Sequence, residues 1–129
     1  YNKDLLQRSA VQYHWINTNY ESFEHYLSSM TSRKRKMIKK ERRHILDQNI
    51  HVDILDGTQI SLSMWSFFYQ LYERTYAKRN GTRGYLTSQF FTEIAQTMPE
   101  QIAMSVATKN SQPIATALYL FDHNTLYGR

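Results

Sequence analysis

Apolar residues repeat with helical spacing through the middle of the chain and with strand spacing towards its end. Val11 to Ile16 alternates loosely and reads as a strand. Asn19 is placed to cap a short helix to about Met30, with Phe23, Tyr26 and Leu27 as its apolar face. Thr31 or Ser32 caps a second helix that reaches about Gln48 and closes at Asn49. His51 to Leu55 reads as a strand, and Asp56-Gly57 as a turn. Ser61 caps the longest helix, to about Arg79. Its Trp65, Phe68, Tyr72 and Tyr76 recur at a spacing that stacks them on one face. After the loop Asn80 to Gly84, Thr87 caps a helix to about Thr97, with Phe90, Phe91 and Ile94 inward, and Pro99 stops it.

The period then shortens. Ile102, Met104 and Val106 alternate with small residues, and Asn110-Ser111 makes a short hairpin connection. Ile114 to Phe121 is apolar on both faces, as in an interior strand. Asp122 to Asn124 turns the chain into a last strand, Thr125 to Arg129. The order β, α, α, β, α, α, β, β, β describes an α+β (α/β) fold, with helices on a mainly antiparallel sheet that ends in a β-meander. The open last strand is an exposed sheet edge, and such edges favour pairing with another chain, here a homodimer.

Composition narrows the function classes. The 129 residues suffice for one domain, 1–129, and are 41% hydrophobic and 14% aromatic, a globular balance. There is no cysteine, which excludes disulfides, zinc ribbons and thiol nucleophiles. No apolar run approaches the roughly 18 residues of a membrane helix and no secretory signal is visible, so a cytoplasmic location without a membrane span is expected. The five histidines show no His-x-x-x-His spacing, and neither a nucleophile elbow nor a phosphate loop occurs, so no metal site is expected.

The formal charge of +5 is concentrated. Arg33 to Arg43 holds eight basic residues against Glu41 alone, a charge of +7, and the rest of the chain carries −2. At about 100° per residue, Ile38 and Ile45 fall nearly in line on this helix. Arg33, Lys36, Lys40 and Arg43 form a cationic stripe opposite them, while Arg35, Glu41 and Arg42 flank the apolar line. Such a stripe is either a solvated face or a site for an anion such as RNA or a phosphorylated ligand. It lacks interleaved aromatics and a DNA-binding frame, so DNA is not the expected partner.

Six stretches carry a resemblance: Gln12 to Asn17, Tyr20 to Phe23 with Tyr26-Leu27, Ser32 to Arg42, Tyr76 to Arg79, Tyr85 to Phe91, and Leu126-Tyr-Gly-Arg129. In order and spacing they resemble the FemAB-like N-acyltransferases, the peptidoglycan biosynthesis or recognition proteins of the GNAT acyl-CoA N-acyltransferase superfamily. The resemblance implies a partial GNAT-like domain, an internal fragment whose downstream half would complete the active site. It implies transfer of an acyl or aminoacyl group to an amine, with acyl-CoA or aminoacyl-tRNA as co-substrate and peptidoglycan chemistry as the setting. The alternative is a non-catalytic module binding an anionic ligand such as RNA or a cell-wall precursor.

Within that frame His14 and Tyr127 are the catalytic candidates, since imidazole accepts protons near neutral pH and a phenol can donate to an oxyanion. Arg33, Arg35, Lys36, Lys40, Arg43, Arg79, Tyr85 and Arg129 are the candidates for binding substrate or anion. The blander role is packing for His14, a solvated face for the cationic stripe, and helix-dipole complementation for Arg79.

Overall fold

The computed structural model describes residues 9 and 11–128. These fall into two compact units, one up to residue 40 and one from residue 41. The division falls inside a helix, between Lys40 and Glu41.

The first unit holds α1 (Phe23–Ser28) and the first turns of α2 (Ser32–Asp47). Residues 11–16 form no strand. Their loose alternation is overridden by local contacts among side chains. Trp15 stacks on Tyr20 at 6.2 Å and meets Tyr26 edge-on at 5.7 Å. The Asn17 side chain bends the chain between them by accepting the Tyr20 amide at 2.7 Å. Asn19 is left-handed (φ 67°) and does not cap α1. Ser22 does, accepting the His25 amide at 3.1 Å, so the helix starts later and ends earlier than its apolar pattern suggests. Leu27 is its buried residue. Thr31 caps α2 as expected, its hydroxyl accepting the Lys34 amide.

The second unit is built on a four-stranded antiparallel sheet in the order β1 (Ile50–Asp56), β2 (Ile102–Lys109), β3 (Gln112–Phe121), β4 (Leu126–Gly128). Between β1 and β2 run α3 (Leu62–Asn80) and α4 (Ser88–Thr97). Ser61 and Thr87 cap them by accepting the amides of Met64 and Phe90. The fold is α+β. The β2–β3 hairpin turns on Asn110 and Ser111, both with positive φ, the geometry that suits the twist of a two-residue hairpin.

Cross-strand partners share a face. Met104 pairs with Leu55 and Leu118, and Val106 pairs with Thr116, so these side chains point to one side of the sheet. On that side Ile102, Met104, Val106 and Leu118 join Ile60, Trp65, Phe68, Tyr72 and Phe91 in one core. Phe91 is its hub, 5.1 Å from Phe68 and 5.3 Å from Tyr72, both edge-on, the favoured aromatic geometry.

Two expectations of burial change here. Phe90 is not inward; it is 37% exposed where Phe91 is 2%. Adjacent helical residues sit about 100° apart, so they cannot both meet the sheet. Strand β3 is not buried on both faces either. Leu118 is its buried residue, and Ile114 is 45% exposed. Within this unit α3 and α4 supply packing to one face, and an interior position in the strand order does not cover the other. A bulge sets that parity: Ala107 pairs with Ala115 and Thr108 with Pro113, leaving Ile114 as the extra residue.

Candidate functional site

The cationic stripe lies on a helix with exposed residues on every side. Helix α2 has no buried residue, and Arg33, Lys36, Lys40 and Arg43 are all exposed along it. From Arg33 to Lys40 the rise is about 10 Å. The basic residues beside the stripe are engaged differently. Lys39 Nζ pairs with Glu24 Oε2 at 2.6 Å. Arg35 is half-buried and donates from Nη1 to the carbonyls of Leu27 and Ser28, at 3.5 and 3.4 Å, serving the C-terminal end of α1. Among the described residues no ion pair involves Arg33, Lys36, Lys40 or Arg43. Arg35 thus serves backbone carbonyls, whereas no ion pair among the described residues engages the four stripe cations.

His14 lies on an exposed irregular stretch of the first unit. Tyr127 lies on β4 of the second, and its hydroxyl donates to Asp122 Oδ2 at 3.3 Å. That carboxylate closes the β3–β4 turn. Its Oδ1 accepts the amides of Asn124 and Thr125, both at 2.8 Å. These two amides, then the Tyr127 hydroxyl, hold the Asp122 carboxyl below its usual range. Tyr127 thus supports a turn. Arg79 is exposed in the last turn of α3. Tyr85 is exposed too, its ring edge-on to Tyr76 at 5.7 Å across the 81–84 loop. Arg129 lies outside the described residues.

Glu41 and His44 are one helical turn apart on α2, but the His44 ring is occupied: its Nε2 is 2.8 Å from the Gln48 amide nitrogen. Among the described residues no group of three or more His, Asp or Glu is arranged to hold a metal, and no helix is long and apolar enough to cross a membrane.

Sequence reasoning missed a cleft of about 290 Å³ between α3 and β3, lined by Phe68, Leu71, Tyr72, Thr75, Tyr76 and Thr116. Thr75 donates its hydroxyl to the Leu71 carbonyl at 2.8 Å. Tyr72 Oη accepts the amides of Tyr85 and Leu86, each at 3.1 Å, and so fixes the chain after Gly84. Thr116 is the anomaly. Its Oγ1 is closed to solvent and has no hydrogen-bond partner among the described residues. An orphaned hydroxyl costs on the order of 1–3 kcal/mol. The signal in the sequence was a threonine on the core side of β3, but its meaning required the β2–β3 register.

The FemAB-like family model, described as peptidoglycan biosynthesis/recognition, matches residues 1–129. The chain belongs to the FemAB-like family. Membership points to a peptidoglycan-related function. Among curated proteins, none matches the sequence. Among the described residues of this FemAB-like chain, the stripe on α2 offers cations outside any ion pair, and the cleft under α3 a lined space beside a hydroxyl without a partner.

Proposed function

We propose that this chain is part of an N-acyltransferase that moves an acyl or aminoacyl group from a phosphate-bearing donor to an amine on a peptidoglycan precursor. The stripe Arg33, Lys36, Lys40 and Arg43 carries the proposal, because acyl-CoA and aminoacyl-tRNA both present phosphates and no ion pair among the described residues engages these cations. FemAB-like membership supports the peptidoglycan setting.

The chemistry asks for a neutral amine, an oriented donor carbonyl and donors for the tetrahedral oxyanion. Binding the donor through phosphates far from its carbonyl would supply orientation without touching the reacting atoms. Tyr127 would have to release Asp122 before donating to an oxyanion.

The test is titration of the chain with bulk tRNA and with acetyl-CoA at low and moderate salt, beside a Lys36→Glu, Lys40→Glu double variant. Weakening of at least about tenfold at low salt, and convergence with the parent chain as salt rises, is expected. Equal affinity of the two proteins at low salt would remove the stripe from the reading. Salt-sensitive binding of RNA without any acyl transfer would favour a non-catalytic anion-binding module.

A further inference from the structure

The cleft between α3 and β3 has walls unlike those of the basic helix. Phe68, Leu71, Tyr72 and Tyr76 line it together with Thr75 and Thr116. No charged side chain lines it. An ion entering such a space would lose hydration with nothing to replace it. A flat or branched apolar group loses little and gains ring contacts.

Thr116 adds direction. It pairs with Val106 on the core side of the sheet, beside Met104 and Leu118. A valine would fill that position with the same shape and no polar atom. Threonine instead places an Oγ1 that is closed to solvent and has no hydrogen-bond partner among the described residues. A threonine exchanges its methyl and hydroxyl by one χ1 step. A ligand in the cleft that offers an acceptor would draw the hydroxyl round and satisfy it. Thr75, on the other wall, already has its proton on the Leu71 carbonyl, so the Thr116 hydroxyl is the unused threonine donor.

We propose that the α3–β3 cleft is a binding site for an uncharged aromatic or branched-aliphatic amide, whose carbonyl takes a hydrogen bond from Thr116. The site is separate from the phosphate reading of α2. It involves different residues and an uncharged ligand, so either can fail without the other.

Benzamide is the probe, followed by NMR of the threonine and leucine methyl groups of the 129-residue chain. Saturable shifts at Thr116 and Leu71 are expected, with a dissociation constant on the order of 1 mM for so small a ligand. The three-bond couplings of Thr116 should report a new χ1 rotamer in the bound state. Thr116→Val should weaken benzamide about tenfold, and Thr116→Ser should retain it. Because Thr116→Val removes an unsatisfied hydroxyl, that variant should fold with an equal or higher Tm, so lost binding cannot be blamed on unfolding. Absence of saturable shifts in the parent chain would overturn the site. Unchanged affinity in Thr116→Val would overturn the assigned hydrogen bond.

Discussion

Gly84 lies so close to Tyr72 that a Cβ built on the glycine would stand 2.7 Å from both Cε1 and Oη of the ring. Its φ of +94° is also a conformation that side chains resist. Close approach and backbone shape thus demand glycine at the same point. Gly84→Ala should cost about 2–3 kcal/mol, combining left-handed strain with overpacking. Gly81, with φ +70° and nothing within 4 Å of its built Cβ, has the strain alone. Gly81→Ala should cost only about 1 kcal/mol. Urea unfolding of the two variants checks the order, and equal losses would contradict the contact with Tyr72.

The other side of that relationship is the phenol. Tyr72 Oη accepts two backbone amides, so Tyr72→Phe leaves both without their acceptor while keeping the ring. A loss of roughly 1–3 kcal/mol is expected, tempered where water reaches the loop. Hydrogen exchange at the Tyr85 and Leu86 amides should accelerate in this variant. Unaltered protection there would show that the hydroxyl does not hold the loop.

Phe91 and Phe90 separate core from surface within one helix turn. Phe91→Ala should destabilise by about 3–5 kcal/mol, because it removes the ring at the centre of the core. Phe90→Ala should cost much less, about 1 kcal/mol, since a third of that residue already meets solvent. Thermal denaturation of both checks the ratio. Similar Tm losses would return Phe90 to the core.

Acid should unsettle the two turns that carboxylates close. The carboxyls of Asp56 and Asp122 are both held below their ordinary value of 3.8: Asp56 by the amide and hydroxyl of Thr58, Asp122 chiefly by the amides of Asn124 and Thr125. A group with a depressed folded pKa favours the native state fully above its unfolded pKa and loses that contribution as pH falls through the folded one. Their contribution is therefore complete at pH 7, begins to fall near the ordinary value of 3.8 and is gone only below the lower folded values. Asp122→Asn should flatten the acid side of the stability profile. Identical profiles for the variant and the parent chain would refute the linkage.

Much of the second unit was legible because its signals are local. Ser61 and Thr87 announce helix starts through side-chain acceptors, and the aromatic repeat of α3 marks its inward face. The alternation of Ile102, Met104 and Val106 does the same for β2. Residues 11–16 misled because alternation is necessary for a half-buried strand but does not supply a partner strand. There Trp15 found rings close in sequence instead. For α1, two residues competed to start one helix, and only backbone geometry separates left-handed Asn19 from the Ser22 cap.

The stripe on α2 was legible as rotation about a helix axis. The particular engagement of Arg35 was not, since it depends on where α1 ends. Nor could the cleft be read in advance. Its wall at Thr116 is fixed by pairing with Val106, a relationship between residues ten positions apart that a bulge had already shifted.

That bulge makes the β2–β3 hairpin adjustable in length. Ile114 is the surplus residue between the turn and the core-facing run, and it has no cross-strand partner. Deleting it would restore regular pairing between Ala107–Thr108 and their neighbours, yet every residue from Ala115 to Phe121 would keep its partner and its side of the sheet. The turn and the core are therefore uncoupled at one residue. Changes of length next to Asn110-Ser111 can be absorbed there, without turning Leu118 out of the interior or Thr116 out of the cleft.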